Sequence, residues 1–200
     1  MTQLSKREQM IIVCRELVQE KGYESLNLSD IAKRLNLRRQ SLYHHFENKE
    51  KMEIATIVSY RNTFSEILKE IEKQKSPRKC LEGLIEAYSL VLEPNNKRVC
   101  LCVSLIGEKN TLPESIQEEL KKFVQLQVDW VVKIFQDNNP ITESEAKMII
   151  ASLQGSMDLA RLENGSKTFK SLAYSLLENF LISHKKTGIS RVKKPYNGTT

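Results

Sequence analysis

Asn27-Leu-Ser-Asp-Ile-Ala-Lys-Arg-Leu-Asn-Leu-Arg-Arg-Gln-Ser-Leu-Tyr-His-His-Phe46 is the stretch on which the reading of this chain turns. Two short helices joined by a tight turn account for its pattern. Asn27 can cap the first helix, with Asp30 three positions on, where a capping box places its acid. Ile31, Ala32 and Leu35 make an apolar face at helical spacing. Ala32 is small, which lets the following helix cross closely. Asn36 falls at the turn, where a positive φ is expected and Asn is the best substitute for glycine. Leu37 plugs the turn from inside. The second helix then turns Leu42 and Phe46 inward and presents Arg38, Arg39, Gln40, Ser41, Tyr43 and His44 outward.

That outward face has the chemistry of a DNA reader. An arginine fork fits guanine O6 and N7, and a glutamine amide fits adenine. Ser41, Tyr43 and His44 can donate to phosphates, and Lys49 with the N-terminus of the next helix offers a further anion site. A solvated charged helix that binds nothing has the same composition, so chemistry alone leaves both readings open. The neighbouring His44 and His45 do not suggest a metal site, because adjacent helical residues point about 100° apart.

Outward from this stretch, the apolar spacing is helical almost throughout, and no segment alternates long enough to argue for a strand. The expected fold is all-α with about nine helices. The first covers about 5–21 and ends at Gly22. After the pair at 28–35 and 39–46, Asn48 caps a long fourth helix over 49–73. Ser76-Pro77 opens a fifth, to about 93, which Pro94-Asn95-Asn96 breaks. A short sixth spans 98–108, and a seventh runs from Pro113, in its first turn, to about 136. Asn138-Asn139-Pro140 breaks again. Thr142 with Glu145 makes a capping box for helix eight, which ends near Asn164-Gly165. The ninth helix carries a regular stripe of Phe169, Leu172, Ala173, Leu176, Leu177, Phe180 and Leu181. From His184 onward the chain is polar and basic. Three parts are expected: a helix-turn-helix domain over 1–48, a helical ligand-binding and dimerisation domain over 49–184, and a mobile basic tail over 185–200.

Composition fits a soluble globular protein, with 40% hydrophobic and 28% charged residues. The N-terminus has no signal-peptide pattern and no apolar run reaches membrane-spanning length, so a cytoplasmic protein with no membrane partner is expected. The net charge of +6 permits nucleic-acid binding without establishing it. Cys14, Cys80, Cys100 and Cys102 have no zinc-ligand spacing, and reduced thiols are expected in the cytosol. No metal or cofactor is expected. Enzyme motifs are missing too: there is no phosphate-binding glycine loop, no zinc-protease helix and no serine elbow.

Residues 7–54 resemble the TetR family of one-component bacterial regulators. The likeness rests on the first helical stripe, Gly22-Tyr23, Asp30-Ile31-Ala32, the turn, and Leu42-Tyr43-His44-His45-Phe46 followed by Lys49-Glu50. It implies a transcriptional repressor that grips double-stranded operator DNA as a homodimer. Tyr43, His44 and Lys49 would meet phosphates while Arg39, Gln40 and Ser41 approach bases. Two positions depart from the family pattern. Asn36 stands where glycine is usual, and Arg38 replaces a small capping residue, losing a cap worth about 1 kcal/mol while adding a basic side chain to the reading face.

The resemblance also implies a ligand pocket and a four-helix interface in the remaining chain. Wall candidates are Tyr60, Phe64, Tyr88, Cys100 and Ser104, together with Phe123, Gln127, Trp130, Gln154 and Met157. For each of them, core packing is the first reading and ligand contact the second. Such walls suit an apolar or aromatic effector. The interface would use Ser152, Gly155 and Ser156 of helix eight with Phe169, Leu172, Leu176 and Phe180 of helix nine. The stretch Val99-Cys100-Leu101 resembles a subgroup in which Gly-Cys-Leu opens helix six, with Val99 here in place of the glycine. In some of its members this cysteine senses electrophiles or oxidants. Cys100, beside Lys97 and Arg98, is thus either a switch or a buried core residue. An all-helical protein-interaction adaptor remains a reading from another class.

Overall fold

A computed structural model describes residues 4–92, 100–137, 139–163 and 165–191, with side chains to residue 184. Among these residues there are nine α-helices, one 3-10 turn and no strand. The helices are α1 (Lys6–Lys21), α2 (Leu28–Arg34), α3 (Arg39–His45), α4 (Lys49–Glu72) and α5 (Pro77–Ser89). The 3-10 turn Leu90–Leu92 follows, then α6 (Leu101–Gly107), α7 (Glu114–Ile134), α8 (Glu143–Arg161) and α9 (Ser166–Arg191). The expected all-α class holds. No described helix is long and apolar enough to cross a membrane.

The helix ends follow local chemistry. Ser5 and Glu8 form a full capping box on α1, and Thr142 and Glu145 do the same for α8. The Asn48 side chain accepts from the Lys51 N–H at 2.8 Å at the start of α4. Gly22 ends α1 at φ 81°, ψ 167°, a conformation open to glycine but not to residues with a Cβ. Asn36 has the positive φ expected of it, 50°.

The chain packs as two units, Met1–Ile67 with Pro94–Leu126, and Leu68–Glu93 with Gln127–Thr200. In the first, Met10, Cys14 and Val18 of α1 are buried, as are Ile31, Leu42, Met52, Ile57, Leu101, Leu105 and Phe123. In the second, Leu84, Ile85 and Tyr88 of α5, Met157 of α8, and Phe169, Ala173 and Leu177 of α9 are buried. At Gly165 the φ is 57° and an added Cβ would stand 2.9 Å from the Leu92 carbonyl oxygen, so both backbone conformation and space favour glycine there.

Four expectations need correction. Asp30 does not complete a capping box on α2. Its carboxylate pairs with Lys21, and Asn27 caps α2 alone by accepting from the Ser29 N–H at 2.8 Å. Helix α5 ends at Ser89, because Leu90–Leu92 tighten into a 3-10 turn. Pro113 precedes α7 and its carbonyl accepts the first helical bonds, from Ile116 and Gln117 at 3.1 Å each. His184 does not open a polar tail. It is buried, stacks on Phe180 with centroids 5.4 Å apart, and its Nε2 lies 2.7 Å from the Asn139 carbonyl oxygen. The α9 backbone continues to Arg191. The expected features at 93–99, 138, 164 and 192–200 lie outside the described residues.

One buried acid stands out in the first unit. Glu53 of α4 is fully buried, and one carboxylate oxygen accepts from the Cys14 thiol at 3.4 Å while the other has no hydrogen-bond partner. Burial pushes its pKa up to about 7, against the opposing effects of the Cys14 hydrogen bond and the Lys49 charge. An unfolded glutamate titrates at about 4.3. Between those values the folded chain holds a proton that the unfolded chain has released, so stability falls as pH rises through that window and levels off above it. Thermal melts from pH 4.5 to 8 on wild type and Glu53→Gln should show this decline in the wild type. The variant should show a shallower one. Parallel profiles would contradict the assignment.

Candidate nucleic-acid interface

Helix α3 is short, and Arg38, the N-cap residue just before it, makes no side-chain cap. The preceding turn fixes it instead. The Leu37 N–H donates to the Ala32 carbonyl at 2.9 Å, and the Asn36 N–H donates to the Lys33 carbonyl at 3.2 Å. Leu42 is fully buried and Phe46 nearly so, with the Arg7 guanidinium 4.9 Å from the Phe46 ring centroid. Ion pairs from Arg34 to Glu20 at 2.6 Å and Glu16 at 3.7 Å tie α2 to α1.

The opposite face of α3 is open. Arg38, Arg39, Gln40, Tyr43 and His44 are exposed and Ser41 is half-buried. Arg39 Nη2 donates to the Tyr43 hydroxyl at 3.2 Å, so these two outward residues already share one surface. A row of two guanidinium groups, an amide, a phenol and an imidazole offers donors to base edges and to phosphates. Asn27 is exposed, but its side-chain oxygen is engaged as the α2 cap.

Lys49 occupies a different setting from the open cation that the sequence suggests. Its ammonium donates to the Glu24 carbonyl at 3.2 Å and lies 4.2 Å from the Tyr23 ring centroid. Partial burial holds its pKa below the ordinary lysine value. The same turn is gripped by a residue that sequence reasoning missed. Glu108, just past α6, accepts from the Tyr23 and Glu24 N–H groups at 2.9 Å each. No periodic signal links residues so far apart in the chain.

The expected pocket residues fall in both units. In the first, the Tyr60 and Phe64 rings pack against Phe123, with centroids 5.5 and 5.3 Å away. The Tyr60 hydroxyl donates to Cys100 Sγ at 3.5 Å. Cys100 and Cys102 are both buried, and burial pushes the Cys102 thiol well above its ordinary pKa. Ser104 is half-buried, and the Lys97 and Arg98 expected beside Cys100 lie outside the described residues. In the second unit the Tyr88 hydroxyl bonds to the Gln127 side-chain oxygen. Trp130 and Met157 are buried there and Gln154 is half-buried. The Trp130 indole N–H and the Gln154 amide nitrogen are buried with no hydrogen-bond partner. The sequence also missed an open groove of about 400 Å³ between α6 and α7, which includes Ile106, Leu120 and Val124 among its walls.

Of the expected interface residues, Ser152, Gly155 and Leu172 are exposed, and Ser156, Leu176 and Phe180 are half-buried. Phe169 is fully buried against Tyr88, with ring centroids 6.3 Å apart. Met148, Leu159 and Leu162 add exposed apolar surface that the sequence reading passed over. Among the described residues, no group of three or more His, Cys, Asp or Glu side chains could hold a metal ion.

Residues 13–55 match the family described as bacterial regulatory proteins, tetR family. The chain is similar to the biofilm operon icaADBC HTH-type negative transcriptional regulator IcaR of Staphylococcus epidermidis, at 25% identity over 82% of this chain and 93% of that protein. The regulator of the same name from Staphylococcus aureus is 24% identical over the same shares. Among solved structures, a TetR transcriptional regulator from Legionella pneumophila superposes with a TM-score of 0.83 at 24% identity, covering 90% of this chain and 98% of that one. A TetR-family regulator from Agrobacterium tumefaciens gives a TM-score of 0.80 at 24% identity, over 87% and 96%. The superpositions establish the fold. Residues 13–55 are thus similar to the tetR family of bacterial regulatory proteins, and the chain over most of its length is similar to HTH-type negative transcriptional regulators.

Proposed function

We propose that the protein is a repressor that binds a two-fold operator as a homodimer and is released by a small-molecule effector. The observation that carries the DNA reading is the exposed polar face of α3, with Arg38, Arg39, Gln40, Tyr43 and His44 set over the buried Leu42 and Phe46. The relatives' description as negative transcriptional regulators supports repression as the direction of control. Residues 1–48 hold the reading module in this account, and the later helices supply dimerisation and effector binding.

Two further observations support the finer parts. Along α8 and its C-cap, Met148, Ser152, Gly155, Leu159 and Leu162 recur at steps of four and three, and all are exposed. An added Cβ at Gly155 would meet nothing within 4 Å, so its smallness serves no packing within the chain. Exposed apolar side chains around small ones suit a closely approaching helix of a second copy, with Leu172 of α9 beside them. The unpartnered donors of Trp130 and Gln154 support an effector with an apolar body and an acceptor atom, because an unsatisfied buried donor costs about 1–3 kcal/mol.

The test is a gel-shift titration on the DNA upstream of the protein's own gene, with a shuffled fragment of equal length as competitor. The natural fragment should be retarded preferentially at moderate salt. Equal affinity for both fragments, falling steeply with salt, would mark a non-specific binder. Arg39→Ala should weaken binding to the natural fragment by about 1–3 kcal/mol and relax its base preference, with no loss of thermal stability. Leu159→Lys should shift the protein toward monomer in sedimentation and weaken DNA binding with it. An unchanged dimer would place the interface elsewhere.

A further inference from the structure

The α1–α2 connection is held from two sides. The Glu108 carboxylate accepts from the Tyr23 N–H through Oε1 and from the Glu24 N–H through Oε2, at 2.9 Å each. Lys49 Nζ donates to the Glu24 carbonyl at 3.2 Å and sits against the Tyr23 ring. The turn is shaped to admit the carboxylate. A Cβ on Gly22 would stand 2.4 Å from Glu108 Oε1, and the φ of 81° at Gly22 disfavours any side chain there. Two parallel N–H donors on one carboxylate form a charge-assisted, geometrically specific clasp.

The clasp links elements that the chain order separates. Glu108 is the residue at which α6 ends, and α6 is anchored by buried Leu101, Cys102 and Leu105. Other polar ties from the 100–126 segment, Ser115 with Glu50 and Arg61 with Glu119, reach α4. Glu108 reaches the three-helix module itself. The turn it holds leads into Asn27, the cap of α2, and α2 leads through the Leu37 to Ala32 hydrogen bond into α3.

We propose that Glu108 is a positioning residue for DNA recognition, clasping the α1–α2 turn to the end of α6 and so fixing how α3 is presented. This rests on the DNA-binding reading above. A displacement of the α6 end would then be felt at α2 and α3 through two hydrogen bonds. Gly22 suits this arrangement, because a Cβ there would crowd the carboxylate and its φ of 81° disfavours a side chain.

The experiment compares full-length wild type, Glu108→Gln and Arg61→Ala. The glutamine keeps the shape, but its NH2 group faces a backbone donor, so one of the two hydrogen bonds is lost. Arg61→Ala removes a tie to α4 without touching the turn. Amide exchange of Tyr23, Glu24 and Leu37 is measured by NMR, and preference for the natural upstream fragment over the shuffled one by gel shift. Glu108→Gln should speed exchange at Tyr23 or Glu24 by about tenfold, raise it at Leu37, and reduce the fragment preference by about tenfold. Arg61→Ala should lower the melting temperature and leave those amides and the preference near wild type. Unchanged exchange in Glu108→Gln would overturn the clasp. Faster exchange with an unchanged preference would reduce Glu108 to a local cap, and an equal loss of preference in Arg61→Ala would assign the effect to general stability. If wild type shows no fragment preference, the DNA reading fails, and exchange at Leu37 still decides whether the clasp controls α3.

Discussion

The structure depends on the burial of one edge of a very short helix. Helix α3 spans Arg39–His45, too few residues to persist alone in water, and Arg38 contributes no side-chain cap. What holds it is Leu42, fully buried, with Phe46 under the Arg7 guanidinium and the Ala32–Leu37 hydrogen bond closing the turn before it. A helix fixed by one edge leaves the other free to carry polar groups that would cost stability if buried. The exposed polar face of α3 exists because packing is confined to the inner edge.

Around that helix the scaffold is polar as well as apolar. Arg34 ties α2 to α1 through Glu16 and Glu20, and these exposed pairs contribute little. The α1–α2 turn is enclosed more firmly, with Glu108 on its amides and Lys49 on its carbonyl and ring. Lys49 therefore has structural partners in the free protein, and any phosphate contact it makes must compete with them. Nearby, Glu53 is buried with one of its carboxylate oxygens unsatisfied, a local cost in stability within the unit that carries α3.

Much of this was legible in the sequence because it is local. Capping residues, the positive φ at Asn36 and the inward positions of α3 depend on neighbours within a few residues, and the pattern of residue types records them. Distant contacts leave no such record. Asp30 stands where a capping box with Asn27 would place its acid, but Lys21 draws it into an ion pair. His184 looked like the start of a tail because its surroundings in sequence are polar, yet Phe135 and Phe180 give it aromatic neighbours in space. Phe169 lay on the expected interface stripe, and its contact with Tyr88 takes it into the core. The exposed Met148, Leu159 and Leu162 could not be told from core residues by spacing alone, since helical periodicity says that a face is apolar and not what covers it.

The central claim is that α3 reads a specific two-fold DNA site. Its most direct test is a footprint of the full-length protein on the DNA upstream of its gene. The account predicts protection of two related half-sites whose centres lie one helical turn apart, about 34–36 Å, or a multiple of it. Retardation of that DNA with no protected sequence at saturating protein would contradict the claim.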